Sequence, residues 1–209
     1  IKNNVKSKIR SVGNVALDKV FKVVQEKNKD FNIVKKKSLE LLFLPNSGMS
    51  HTTMENVFES INICVRYAIK NPDVIFKIKE HPSDVNDNVF NYIEKKFGNV
   101  NNLNLIDREH EIPFGTNDIT IINNSGAGME SAIWGIPLII ISDKLENVHV
   151  PFYLDEKIAE FANNDESFEA KVLRIMSENK FYRNNCKKFI KKYFVNRGVV
   201  AEKIIEIIL

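Results

Sequence analysis

Cysteine is scarce in this sequence. Cys64 and Cys186 are its only cysteines, and neither lies in a CxxC or Cys/His spacing typical of metal ligands. This argues against a disulfide scaffold and against a structural zinc site. No apolar stretch approaches the roughly 20 residues that span a bilayer, and the opening IKNNVKSKIR lacks the apolar core of a secretion signal. We therefore expect a reduced, cytoplasmic protein.

An initiating methionine is also absent, so we expect the 209 residues to belong to a longer protein. A strong charge imbalance is lacking as well, because the net charge is only +3, which does not indicate a nucleic-acid partner. The composition, 44% hydrophobic and 27% charged, is that of an ordinary soluble protein. Function must therefore be sought in local motifs.

Short apolar runs alternate with helical patterns along the chain. The spacing predicts strands at 39–45, 74–79, 102–107, 119–124 and 137–142. It predicts helices at 5–29, at 53–70 with Thr52 or Thr53 as the cap, and at 85–97, 128–134, 165–179, 181–195 and 198–208. Strands that alternate with helices predict an α/β fold with a doubly wound parallel sheet.

Ligands of such sheets bind beyond the carboxyl ends of the strands, and the second strand ends in Lys79-Glu80-His81-Pro82. Pro82 fixes its own φ and holds His81 extended, which directs the imidazole. An imidazole suits phosphate both as a cation and as a neutral donor. Lys79 shares a side with His81 if the strand persists. The alternative is a strand-end turn with a surface histidine.

The fourth strand runs into INNSGAGMESAIWG, residues 122–135. Backbone N–H groups and the dipole at the start of the following helix favour an anion, and Ser125 adds a hydroxyl. Gly126 and Gly128 let a ligand approach the backbone, and Glu130 can accept hydrogen bonds from two sugar hydroxyls. The alternative is a plain helix cap and tight turn. The stretch is neither a P-loop nor a GxGxxG motif.

Other loops are less specific. Ser47 and Gly48, in PNSGMSHTTM after the first strand, lie near a phosphate or an acceptor in one interpretation and form a plain loop in the other. The histidines of the chain show no metal-ligand spacing. Glu109 and Glu111 flank His110 in a loop that we interpret as a solvated turn beside the same cleft.

Taken together, K-x-H-P at 79–82 and N-S-G-x-G-x-E-x-A-x-x-G-x-P at 124–137 resemble the carboxyl-terminal half of GT-B glycosyltransferases. The pattern looks most like the HP-motif group, which includes bacterial polysialyltransferases, capsule Kdo transferases and CDP-glycerol glycerophosphotransferases. The likeness covers residues 39–145, and Asn124-Ser125 stands where several members carry two hydroxyl residues. It implies a Rossmann-like, donor-binding domain over 39–209 with additional carboxyl-terminal helices. Residues 1–38 would be interdomain or linker helices, and an amino-terminal acceptor domain is absent from this chain.

The resemblance also implies roles for residues. His81 is the implied catalytic residue at the donor phosphate, and as an imidazolium it is a candidate proton donor to the leaving group. The family's catalytic acid or base usually lies on the amino-terminal domain. No metal and no cofactor are implied, because the nucleotide-activated donor is itself a substrate. The resemblance also implies that Pro82 shapes the loop, that Ser125 holds phosphate and that Glu130 faces the ribose. Together with Lys79, Ser47, Gly48, Asn124 and Gly126, these are the predicted substrate-binding residues.

The implied activity is transfer of a sugar or glycerophosphate from a CMP-sugar or CDP-linked donor to a glycan or glycolipid acceptor. The product would be a capsule or lipopolysaccharide-type surface polysaccharide. Two other hypotheses stay open: an enzyme similar to UDP-N-acetylglucosamine 2-epimerase, against which the HP motif speaks, and a non-catalytic nucleotide-sugar binding domain.

The basic run CKKFIKKYF at 186–194 has two interpretations. One is peripheral contact with the inner face of the plasma membrane, where an acceptor would be lipid-linked. The other, which we favour, is a helix packed on the sheet with a solvated basic edge.

Overall fold

The computed structural model describes residues 14–27, 38–46, 53–84 and 88–208. The chain divides into two compact units, Ile33–Phe189 and a smaller one that combines Ile1–Asn32 with Ile190–Leu209. The assignment of residues 1–38 to interdomain helices falls partly outside the described residues and stays a prediction.

The larger unit is built on a six-stranded sheet in which all neighbouring strands are parallel. Every residue of its fourth and fifth strands is buried, as expected where helices cover both faces of a parallel sheet. The predicted α/β fold is confirmed. The strands are β1 (Glu40–Leu44), β2 (Ile75–Lys79), β3 (Leu103–Ile106), β4 (Ile119–Ile122), β5 (Leu138–Ile141) and β6 (Ala159–Ala162).

The helices are α1 (Asp18–Lys27), α2 (Met54–Lys70), α3 (Asn88–Phe97), α4 (Ala127–Ile133), α5 (Phe152–Asp155), α6 (Asp165–Ser177), α7 (Asn179–Tyr193) and α8 (Val200–Ile208). Seven of these helices overlap ranges that the sequence predicts, and of the predicted range 5–29 the structure describes only 14–27. Thr53 caps α2 as predicted, because its hydroxyl accepts a hydrogen bond from the N–H of Asn56 at 3.3 Å. The apolar face of α2 includes the fully buried Val57, Ile61 and Val65.

The sequence pattern predicts neither α5 nor β6. The strand β6 reads AEFA, which is too short and too mixed to show a period, and it carries Glu160 in its interior. The Glu160 carboxylate accepts a hydrogen bond from the Tyr182 hydroxyl and lies 2.9 Å from Lys171 Nζ and 3.2 Å from Arg174 Nη1. Burial works to raise the pKa of Glu160, but these partners hold that pKa below its ordinary value.

The smaller unit contains α1 and α8. The carboxylate of Asp18, at the start of α1, accepts hydrogen bonds from the N–H groups of Val200 at 3.2 Å and Ala201 at 3.0 Å. These N–H groups have no partner inside a helix that begins at Val200, so Asp18 caps α8. Phe21 of α1 packs edge-on against Phe194, with 5.6 Å between ring centroids.

Candidate functional site

The strand order β3-β2-β1-β4-β5-β6 indicates where a ligand crevice would lie. The chain builds the sheet outward from β1 to β3 on one side and from β4 to β6 on the other. The order therefore reverses between β1 and β4, and ligands of such sheets bind at the carboxyl ends beside that reversal. Because β2 and β4 both neighbour β1, the segments after them start about 10 Å apart, twice the usual strand spacing.

His81 follows β2 and begins a turn, His81 to Asp84, which we call the HP turn. The Nδ1 atom of His81 accepts a hydrogen bond from the N–H of Ser83 at 3.1 Å. An accepting Nδ1 carries no proton, so the proton of the neutral ring is on Nε2. Burial lowers the pKa of His81, with Asp84 acting in the opposite direction and Lys79 in the same one. His81 is thus favoured as a neutral ring that offers Nε2–H as a donor.

The HP turn is held from both of its ends. The Asp84 N–H donates to the His81 carbonyl at 2.9 Å. The buried Asp84 carboxylate accepts hydrogen bonds from Asn88 N–H at 3.2 Å and Val89 N–H at 3.1 Å, at the start of α3. Arg108, which follows β3, donates from Nη1 to the Asp84 carbonyl at 2.6 Å. Sequence reasoning identified neither Asp84 nor Arg108.

Lys79 is the last residue of β2, so the strand does not persist to His81. Lys79 is only 3% exposed, and its Nζ donates to the Glu80 carbonyl at 2.9 Å. Burial lowers the pKa of Lys79, against the opposing influence of the neighbouring carboxylates. The structure therefore places this amine beneath the backbone that leads into the HP turn. Pro82 is exposed within that turn.

Asn123 fixes the end of β4, and sequence reasoning did not single it out. It is 2% exposed, and its side-chain amide donates to Ser60 Oγ at 2.8 Å and to the Ile141 carbonyl at 3.0 Å. Its Oδ1 lies 3.5 Å from the N–H of Asn46, which follows β1. One amide thus ties together the carboxyl ends of β1, β4 and β5 and the helix α2.

Asn124, a predicted ligand contact, uses both of its amide atoms within the protein. Its Nδ2 donates to the Asn147 carbonyl at 3.0 Å, and its Oδ1 accepts from the His149 N–H at 2.8 Å. These bonds fasten the loop after β5 beside the start of α4. The structure thus gives Asn124 a role in shaping the crevice wall.

Ser125 and Gly126 lie at the start of α4 as predicted. Ser125 Oγ accepts a hydrogen bond from the Ala127 N–H at 3.2 Å, which leaves its hydroxyl hydrogen available to a ligand. Gly126 is exposed, and a Cβ there would meet nothing within 4 Å. Gly128 is different, because a Cβ there would lie 2.7 Å from the Tyr153 ring. The prediction that Gly128 admits a ligand is therefore wrong: a side chain already fills that space.

Glu130 lies half-buried in the first turns of α4. Burial raises the pKa of its carboxyl group. Within the described part of the chain, no N–H, hydroxyl or cation bonds to this carboxylate. Removing a carboxylate from water without a partner is costly. The site therefore holds an acceptor that a ligand with hydroxyl groups would satisfy.

The remaining predicted residues contribute less. Ser47 and Gly48 lie outside the described residues. His110 is 70% exposed with its Nδ1 2.7 Å from Asp107 Oδ1, as in a solvated turn. Across 14–27, 38–46, 53–84 and 88–208, no group of three His, Cys, Asp or Glu side chains is arranged to hold a metal ion.

In α7, the aromatic residues Tyr182 and Phe189 are buried while Lys187, Lys188 and Lys191 are exposed. This is the arrangement of a packed helix with a solvated basic edge. No helix in the described ranges is long and apolar enough to span a membrane. Peripheral membrane contact stays a prediction.

The sequence matches no protein-family model and no curated protein. Among solved structures, the UDP-GlcNAc 2-epimerase of Neisseria meningitidis bound to UDP-GlcNAc matches with a TM-score of 0.68 and 19% identity, over 96% of this chain and 55% of that one. The UDP-GlcNAc 2-epimerase of Methanocaldococcus jannaschii, in complex with UDP-GlcNAc and UDP, matches with a TM-score of 0.64 and 20% identity, over 96% of this chain and 54% of that one.

The C-terminal CMP-Kdo binding domain of WaaA from Acinetobacter baumannii matches with a TM-score of 0.51 and 8% identity, over 81% of this chain and 97% of that domain. At these identities the likeness is one of fold. The predicted Rossmann-like fold, a doubly wound parallel sheet with additional carboxyl-terminal helices, is thereby confirmed. The chain spans about half the length of the two epimerases.

Proposed function

We propose that this chain is the donor-binding half of a metal-independent GT-B glycosyltransferase of the HP-motif group. It binds a CMP-sugar or CDP-linked donor, whose sugar or glycerophosphate is transferred to a glycan or glycolipid acceptor during surface-polysaccharide synthesis. One observation carries the proposal. The strands on either side of β1 lead into complementary groups, a histidine that offers Nε2–H and a half-buried carboxylate that no donor among the described residues contacts.

These groups match a nucleotide donor. In the proposed reaction an acceptor hydroxyl bonds to the transferred carbon or phosphorus, while the bond from that atom to the nucleotide phosphate breaks and its electron pair leaves with the phosphate. His81 Nε2–H and the Ser125 hydroxyl would donate to the growing charge, and one such donor typically lowers a barrier by ~3–4 kcal/mol. Glu130 would accept from two ribose hydroxyls. The resemblance assigns the base for the acceptor proton to the amino-terminal domain.

The neutral form of His81 bears on whether it would donate a hydrogen bond to the leaving phosphate or transfer a proton to it. The bond from the Ser83 N–H occupies Nδ1, the atom that must take a proton to form the imidazolium. A role as hydrogen-bond donor to the leaving phosphate is therefore favoured over full proton transfer from a resting cation. The roles of Lys79 and Asn124 in the proposal are to support the HP turn and the crevice wall.

The epimerase hypothesis stays as the second candidate. What favours it is fold similarity, because the two epimerases have TM-scores of 0.68 and 0.64 against 0.51 for the CMP-Kdo binding domain. What favours the transferase is the His81-Pro82 turn after β2. A non-catalytic nucleotide-sugar binding domain would use the same groups without turnover.

Calorimetric titration with CMP, CDP, UMP, UDP and AMP tests the proposal. We expect a cytidine nucleotide to bind most tightly. His81→Gln and Glu130→Gln should each weaken it about 10- to 100-fold, as is typical for a hydrogen bond to a charged group. Glu166→Gln is the matched control, because Glu166 also lies in the first turn of a helix but is exposed to solvent.

The outcomes separate the hypotheses. A preference for UDP would support the epimerase-like activity or a UDP-sugar transferase. Equal binding by the Glu130→Gln variant would contradict the proposed site, and lack of binding by all five nucleotides would contradict a donor-binding role for this chain. Release of nucleotide from the donor in the presence of a glycan acceptor, measured on the full-length protein, separates an enzyme from a binding domain.

A further inference from the structure

We propose that Arg108 and Asp84 are positioning residues that clamp the HP turn and thereby hold His81 in its Nε2–H tautomer. The use of that donor for a phosphate rests on the proposed function. The clamp itself does not, since it is formed by contacts within the protein. Neither residue belongs to the K-x-H-P or N-S-G motif.

The first step of the argument is the geometry of the turn. The bond from Asp84 N–H to the His81 carbonyl joins residues three apart, which defines a β-turn with Pro82 at the second position. Proline is favoured there because its φ is already fixed. This turn brings the Ser83 N–H to His81 Nδ1 at 3.1 Å. The tautomer of the ring therefore depends on the turn staying closed.

The second step concerns Asp84. Its carboxylate is 5% exposed and accepts hydrogen bonds from two N–H groups at the start of α3, those of Asn88 and Val89. These bonds offset the cost of burying the charge. They also use both carboxylate oxygens within the protein, so Asp84 anchors the end of the turn to a helix.

The third step concerns Arg108. Its Nη1 lies 2.6 Å from the Asp84 carbonyl and 4.0 Å from Oε2 of Glu80, which is 1% exposed. One guanidinium thus contacts the residue before His81 and the residue that closes the turn. The rigid, planar fork of donors fixes the direction of Nη1, the nitrogen nearest both groups, whereas a lysine offers a single point of charge on a flexible stem. Asp84 and Lys79 are the charged groups that act on the ring itself, so Arg108 acts through the turn.

Nitrogen-15 NMR of the imidazoles, recorded without nucleotide, tests the clamp. The His81 signals are assigned from their loss in His81→Gln. In the wild-type chain at neutral pH we expect Nδ1 to be unprotonated and Nε2 to be protonated. In Arg108→Gln we expect the Nδ1–H tautomer to increase and the pKa of His81 to move up towards its ordinary value of 6.5.

Two further variants make the test specific. Arg108→Lys should restore the His81 signals only in part, because it keeps the charge and loses the fork. Arg66→Gln is the matched control: it removes the same charge from an arginine whose Nε and Nη2 both lie 2.7 Å from the Asp165 carboxylate, and it should leave His81 unchanged.

The proposal fails if wild-type His81 has its proton on Nδ1, or if its signals are the same in Arg108→Gln as in wild type. Should Arg108→Gln not fold, the wild-type tautomer and the partial shift in Arg108→Lys still decide the matter. Nucleotide titration of the same samples is a separate readout, in which Arg108→Gln should bind about tenfold more weakly, the lower end for a charged hydrogen bond. Absence of binding by wild type would overturn the proposed function and leave the NMR result standing.

Discussion

The contact between Gly128 and Tyr153 predicts different outcomes for the same substitution at two glycines of one helix start. A Cβ on Gly128 would lie 2.7 Å, 2.8 Å and 3.0 Å from Cε2, Cζ and the hydroxyl oxygen of Tyr153. The Tyr153 side chain is fully buried, so its ring has no open space into which to move. A Cβ on Gly126 would meet nothing within 4 Å.

The magnitude follows from opposing effects. Inserting a methyl group into a packed site costs about 1–3 kcal/mol, and three close contacts with a buried ring argue for the upper end. Alanine is favoured over glycine inside a helix by about 1 kcal/mol, so the net loss for Gly128→Ala is about 2 kcal/mol. Gly126 has a helical φ of −64°. For Gly126→Ala, a lower unfolded-state entropy and poorer capping nearly cancel, which leaves it within about 0.5 kcal/mol of wild type.

Urea unfolding, followed by the fluorescence of the single tryptophan, Trp134, measures both free energies. A double-mutant cycle with Tyr153→Leu isolates the clash, because removing the ring should make Gly128→Ala neutral or stabilising. Equal stability of Gly126→Ala and Gly128→Ala would refute this reasoning, as would an unchanged loss for Gly128→Ala in the Tyr153→Leu background.

Three more predictions concern residues outside the crevice. The pKa of Glu160 is depressed in the folded chain, so its carboxylate stabilises the fold at any pH above the ordinary pKa of 4.5. This contribution is lost as the pH falls through the depressed pKa. The urea midpoint should therefore fall less steeply below pH ~5 in Glu160→Gln than in the wild-type chain. Asp18→Ala removes the cap of α8 and should cost about 1 kcal/mol in thermal unfolding. Cys64 and Cys186 are buried with raised pKa values, so a thiol reagent at pH ~8 should modify them only after unfolding.

A strand of the sheet could be predicted where its own residues show the apolar pattern of a strand. The strands β1, β4 and β5 consist mainly of apolar residues, and β2 and β3 mix apolar residues with lysine or asparagine. All five are followed by turn residues, and both features are local. The strand β6 is held by the partners of Glu160, of which Lys171 is 11 positions and Tyr182 is 22 positions further along the chain. A charged residue in a four-residue strand gives no period to detect, so its position is decided by packing.

The candidate site shows the same division. His81, Ser125 and Glu130 belong to motifs that closely follow predicted strands in the sequence, so they could be identified from the sequence alone. Asp84 and Arg108 are hydrogen-bonded although they lie 24 positions apart in the sequence, and Asn123 and Ser60 although they lie 63 positions apart. Local patterns do not show such contacts. The assignment of Gly128 to ligand approach is wrong for the same reason, because the ring that fills its space belongs to Tyr153.

The polar atoms of the candidate site fall into two groups, and the difference between them supports the proposed ligand. The amide of Asn124 and the carboxylate of Asp84 are hydrogen-bonded within the protein. His81 Nε2–H, the Ser125 hydroxyl hydrogen and the Glu130 carboxylate have no such bond within the described part of the chain. Two donors and one acceptor match a molecule that is anionic at one end and carries hydroxyl groups at the other. A nucleotide carries both a phosphate and ribose hydroxyl groups, which is the physical argument for the proposed donor.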